Sequence, residues 1–125
     1  MSAAAPAEAR REHRRGEIAV VCLWVPILLW MAHLVSMAAL VAYVRNHPYR
    51  WWLFWLDTGV CAAGIVLCLV VATVLGRRAD TPSDVGTPAG RTRFLAWQAV
   101  LAGLANLALT LLEGSFVAFI WTTVR

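Results

Sequence analysis

Three ionisable side chains stand inside long uncharged runs of this sequence: His33, Asp57 and Glu113. Glu113 lies in the stretch LLEGSF and carries the single charge between Arg93 and Arg125. A charged Asp at the centre of a membrane helix costs about 2.5–3.5 kcal/mol, and such residues face protein or a water-filled cavity. A histidine with two carboxylates suits a proton relay, or the rim of a cofactor or ion site. The same residues also suit hydrogen bonding between helices. Two pairings are inexpensive, His33–Glu113 and His33–Asp57. A third arrangement brings an arginine inward, with Arg50 nearest Asp57.

Soft ligands are sparse. Met31, His33 and Met37 suggest metal or haem ligation, with His33 the metal candidate. On a helix Met31 points away from His33, while Met37, four residues on, shares its face. A haem would need a partner chain to complete its ligands, and no cofactor of the chain's own is expected. Cys22, Cys61 and Cys68 lie within apolar runs, where cysteine packs as a small residue. Cys61 and Cys68 are two helical turns apart, about 10 Å, which excludes a disulfide between them. No nucleophile–base pair with catalytic spacing, phosphate-binding glycine loop or zinc spacing appears.

These residues are carried by three runs, Ile18–Val44, Trp51–Gly76 and Phe94–Val124. Each exceeds the roughly 20 residues that cross a hydrocarbon core of about 30 Å. In lipid each backbone must satisfy itself, so each run is expected to be an α-helix. The fold class is therefore all-α: an integral membrane bundle of three transmembrane helices, spanning about 18–44, 52–76 and 94–121. The composition agrees. Residues are 61% hydrophobic and 14% charged, against roughly half and a quarter in soluble domains. Pro26 is expected to bend the first span. The polar lead up to Glu17 and the long apolar run after it do not look like a cleavable signal peptide.

All 11 basic residues are arginine. Arg10, Arg11, Arg14 and Arg15 precede span one, and Arg77, Arg78, Arg91 and Arg93 flank the loop between spans two and three. Arg45, Arg50 and Arg125 fall on the other side. The bias places the N-terminus in the cytoplasm and the C-terminus outside. Residues 1–16 then form a cytoplasmic basic tail, its first nine residues disordered. Residues 17–125 form the membrane domain, with 77–93 a cytoplasmic loop that has turn signals at Thr81-Pro82 and Thr87-Pro88. Arg14, Arg15, Arg77, Arg78, Arg91 and Arg93 suit topology and anionic headgroups rather than nucleic acid. Trp51, Trp52, Trp55 and Trp121 are expected at the outer interface and Trp97 near the inner one. The loop NHPY, residues 46–49, makes spans one and two antiparallel neighbours.

Steps of three and four give each span one small or polar stripe. Span one offers Cys22, Pro26, Leu29, His33, Ser36 and Leu40. Span two offers Asp57, Cys61, Gly64, Cys68 and Val71. Span three offers Ala99, Gly103, Asn106, Thr110, Glu113 and Val117. Small residues let helices approach and polar ones bond across, so these stripes predict the seam of the bundle. Cys61, Gly64, Cys68, Ala99 and Gly103 form its packing part. His33, Asp57, Glu113 and Asn106 form its polar cluster. By helical rise, Asp57, Glu113 and His33 lie about 9, 12 and 16 Å inside the outer ends of their spans. Glu113→Gln is expected to weaken assembly or activity more than any lipid-face Leu→Ala change.

Trp30-x-x-His33 in span one, the short outer loop and Arg91-x-Arg93-Phe94-Leu95-Ala96 opening span three together resemble a known family. It comprises the small three-span membrane proteins encoded beside bacterial cytochrome c oxidase subunits. The likeness covers roughly residues 17–121 in layout. It implies a multi-pass protein of the bacterial cytoplasmic (inner) membrane, acting as an accessory subunit or assembly partner of a respiratory complex. His33, Arg91 and Arg93 would then have interfacial roles. The residues themselves leave three functions open. The chain is a non-catalytic subunit bound to larger chains, a homo-oligomeric transporter or proton channel using Asp57 and Glu113, or a haem- or copper-handling protein using His33.

Overall fold

The computed structural model describes residues 4–78 and 86–124. Three helices account for nearly all of them: α1 (Ala4–Asn46), α2 (Leu53–Arg78) and α3 (Pro88–Thr123). A 3-10 turn at Pro48–Arg50 joins α1 to α2. No strand occurs among the described residues. All three helices are long and apolar enough to cross a membrane. Each packs on the other two, so the bundle has a triangular cross-section. It has a hairpin end, where α1 turns into α2, and an arginine-rich end, where α2 stops and α3 starts.

Large apolar side chains cover the outside, among them Trp24, Leu28, Val35, Val60, Leu67, Leu101, Leu112 and Phe116. That surface suits lipid tails. The inside is narrow and built largely from small residues. Towards the arginine-rich end Cys22, Ala72 and Ala99 meet, sealed by Leu23, Val71 and Val100. At the hairpin end Met37, Val44 and Phe54 meet, with Leu40, Val117 and Trp121 packed on them. Where lipid is as apolar as leucine, such seams hold by close fit rather than by burial from water.

The helices extend further than the apolar runs. α1 has 43 residues, about 65 Å of helix by its rise, well beyond a hydrocarbon core of about 30 Å. The expected tail is helical from Ala4 onward. Its alanines and arginines favour helix, and the pairs Arg15–Glu12 and His13–Glu17 brace its turns. Gly16 of this segment lies beside Thr92 of α3. Pro26 is buried within α1, and the helix continues through it.

Arg77 and Arg78 belong to the last turn of α2, and Arg91 and Arg93 to the first turns of α3. Thr87-Pro88 is a helix start rather than a free turn. Thr87 caps α3 by accepting from the Gly90 amide at 3.1 Å, and Pro88 occupies the first helical turn. Thr81-Pro82 lies outside the described residues.

Candidate functional site

The polar interior is organised by α1. His33 is fully buried, and its Nδ1 lies 2.8 Å from Asp57 Oδ2 on α2. Ser36, nearly one turn further along α1, places its Oγ 2.8 Å from the same carboxylate oxygen and 3.0 Å from the His33 carbonyl. One hydroxyl proton serves one acceptor at a time, so Ser36 chooses between these two oxygens. Trp30, nearly one turn before His33, donates its indole Nε1–H to Glu113 Oε2 on α3 at 3.1 Å. Residues three apart on α1 therefore reach two different helices, His33 to α2 and Trp30 to α3.

Of the two His33 pairings open from sequence, the structure has His33–Asp57. Glu113 is held separately by Trp30. Arg50 does not reach inward. Its guanidinium bonds the Tyr43 hydroxyl and stacks near the Tyr43 and Tyr49 rings at the surface. Asn106 is on the buried face of α3, but its Nδ2 donates to Ala102 O of its own helix at 2.7 Å, one turn back. It stands apart from the His33–Asp57 link.

The packing residues take their places on a seam that is rotated in part. Cys61, Ala99 and Gly103 are buried; Gly64 and Cys68 are partly so. Asp57 and Gly64 turn towards α1, where Leu29 abuts Gly64. Thr58, one position on, turns towards α3 and meets Gly114. A Cβ added at Gly114 would stand 2.6 Å from Thr58 Cγ2 and 2.9 Å from Thr58 Cβ. Gly114 therefore permits a close approach of α2 and α3 and was not singled out from sequence. Gly103 meets Leu69 through the tip of a movable side chain. Trp121 packs inward, edge-on to Phe54 at 6.0 Å, rather than joining the exposed Trp51, Trp52 and Trp55. Met37 serves the apolar cluster at the hairpin end.

Trp30 was the functional residue missed as a bonding group. Its signal was position. Tryptophans cluster at interfaces, whereas one inside a span has an N–H that needs an acceptor.

Chemically, the group differs from a hydrolytic triad. Ser36 bonds the carboxylate, not the imidazole, so His33 holds no nucleophile. Among the described residues, these side-chain bonds between helices stop part-way. Further along the same seam comes the apolar contact of Cys22, Ala72 and Ala99. Cys61, one turn from Asp57 on α2, brings its sulfur to the His33–Asp57 pair. One ligand atom from each of these residues lies within 4.8 Å of the other two. No protein-family model, curated protein or solved structure matches this chain.

Proposed function

We propose that the chain is a non-catalytic accessory or assembly subunit of a larger membrane complex. One observation carries this: side-chain bonds from α1 join it to both other helices, and apolar side chains meet on the seam towards the arginine-rich end. His33, Asp57 and Ser36 bond α1 to α2, and Trp30 and Glu113 bond α1 to α3. Cys22, Ala72 and Ala99 close the seam towards the arginine-rich end. A bundle joined in this way is suited to act through its outer faces. Those faces carry Trp24, Trp52, Phe94, Phe116 and Phe119, and large aromatic side chains suit contact with other helices as well as lipid.

In this proposal the arginine-rich end faces the cytoplasm of a bacterial inner membrane, following the arginine bias. The resemblance to proteins encoded beside cytochrome c oxidase subunits makes a respiratory complex the first partner to test. Purification of a tagged chain from its native membrane in mild detergent, with native mass and visible spectrum, tests it. Co-purification with larger chains is expected, with haem bands if the partner is an oxidase. A colourless homo-oligomer without other chains would overturn the proposal and favour a transporter built on Asp57 and Glu113.

A further inference from the structure

We propose that His33, Asp57 and Cys61 bind one divalent transition-metal ion of the zinc class between α1 and α2. Two independent observations meet here. The first is proximity. One ligand atom from each of the three residues lies within 4.8 Å of the other two. Ligand atoms around a tetrahedral ion, bound at about 2.0–2.3 Å, stand about 3.3–3.8 Å apart. Small side-chain rotations on fixed helices supply the difference. The second is an unmet bonding need. His33 is fully buried and its Nε2 has no hydrogen-bond partner. A polar nitrogen buried away from water needs a partner, and a metal ion is one way to satisfy an imidazole.

The donor set selects the ion. Imidazole, carboxylate and thiolate together suit a borderline ion rather than a hard one such as magnesium. Charge narrows the choice. A thiolate and a carboxylate exactly offset a divalent cation, whereas a monovalent copper would leave one negative charge inside the bundle. Net charge in a low-dielectric interior is costly, so the divalent ion is favoured. Binding converts the Cys61 thiol to thiolate and releases one proton to solvent. No electron is transferred. Three protein ligands leave a fourth position for water or another oxygen donor. The ion would cross-link α1 to α2 at the level where the two helices already share their strongest polar contact.

Cobalt(II) is the probe, because a tetrahedral thiolate site gives it visible and near-ultraviolet bands. The purified full chain in detergent is titrated with cobalt(II), and then with zinc(II) as competitor. One equivalent is expected, with a thiolate-to-cobalt band that zinc bleaches. Cys61→Ser should abolish that band, while Cys22→Ser and Cys68→Ser should keep it. His33→Gln and Asp57→Asn should weaken binding at least about tenfold. Circular dichroism of each metal-free variant separates lost ligation from lost folding. If Cys61→Ser is misfolded, alkylation of Cys61 in the wild-type chain replaces it: zinc should protect that thiol. Absence of a thiolate band, a band that survives Cys61→Ser, or a thiol unprotected by zinc would each overturn the site.

Discussion

The two halves of the bundle hold together by different means. Towards the hairpin end, α1 grips both neighbours with side-chain bonds, His33 to Asp57 and Trp30 to Glu113. Towards the arginine-rich end, Cys22, Ala72 and Ala99 meet without a polar bond, and Gly76 lies against the Trp97 ring. The first half specifies which helix faces which. The second specifies only how closely they can approach. In lipid neither half gains from burial, so fit and polar pairing must replace it. Polar pairing also leaves reactive atoms inside, and the chemistry-bearing residues accordingly gather in the first half.

Substitutions can break this contrast, and the largest effect should come from fit at a rigid contact. Gly114→Ala drives a Cβ to 2.9 Å from Thr58 Cβ, an atom that side-chain rotation cannot move, so α2 itself must shift. Overpacking of this kind costs about 1–3 kcal/mol, measured as a shift in reversible unfolding in detergent. Gly103→Ala, closer to the arginine-rich end, should cost less. It meets the tip of Leu69, and a displaced rotamer costs about 0.5–1.5 kcal/mol. Equal losses at the two glycines would remove the distinction between rigid and yielding contacts.

The polar half can be sharpened by double-mutant cycles. The His33–Asp57 pair, fully buried on the His33 side, should show a coupling of about 1–2 kcal/mol using His33→Ala and Asp57→Ala. The Trp30–Glu113 pair, only partly buried and longer at 3.1 Å, should fall near the average of about 0.6 kcal/mol for polar contacts in membrane bundles. Trp30→Phe with Glu113→Ala measures it. A reversed order would make α3, not α2, the main polar partner of α1. At the bottom of the scale, Gly59→Ala enters open space, and its stability change should stay within about 0.5 kcal/mol.

Much of this was legible in the sequence, and the misses have physical causes. Three helices followed from charge-free length, and the seam of α1 through Cys22, Pro26 and His33 followed from helical spacing. His33–Asp57 was one of two pairings that spacing allowed. Depth alone could not choose between them, because the rotation of α3 about its axis was unknown. That rotation also moved the seam. Alternating steps predict Glu113 and Val117 after Thr110, yet Gly114 and Ala118 are the buried residues. From Asn106 the buried positions advance in steps of four, which turns the buried face steadily about a helix of 3.6 residues per turn. Glu113 is thereby displaced to the flank, within reach of Trp30. On α2 a single stripe was too simple. A helix in a three-membered bundle faces two neighbours, so Asp57 meets α1 while Thr58 meets α3. The first nine residues were expected to be disordered, yet the helix runs from Ala4, because the alanines there favour helix.

The direct test is proton flux through liposomes reconstituted with the purified chain, under an imposed pH gradient and membrane potential. If the polar residues join helices and the apolar half seals the bundle, the wild-type rate will match protein-free vesicles, and Asp57→Asn and Glu113→Gln will leave it unchanged. A wild-type flux above that background, abolished by either substitution, would contradict the account and make the polar half of the bundle a conducting path.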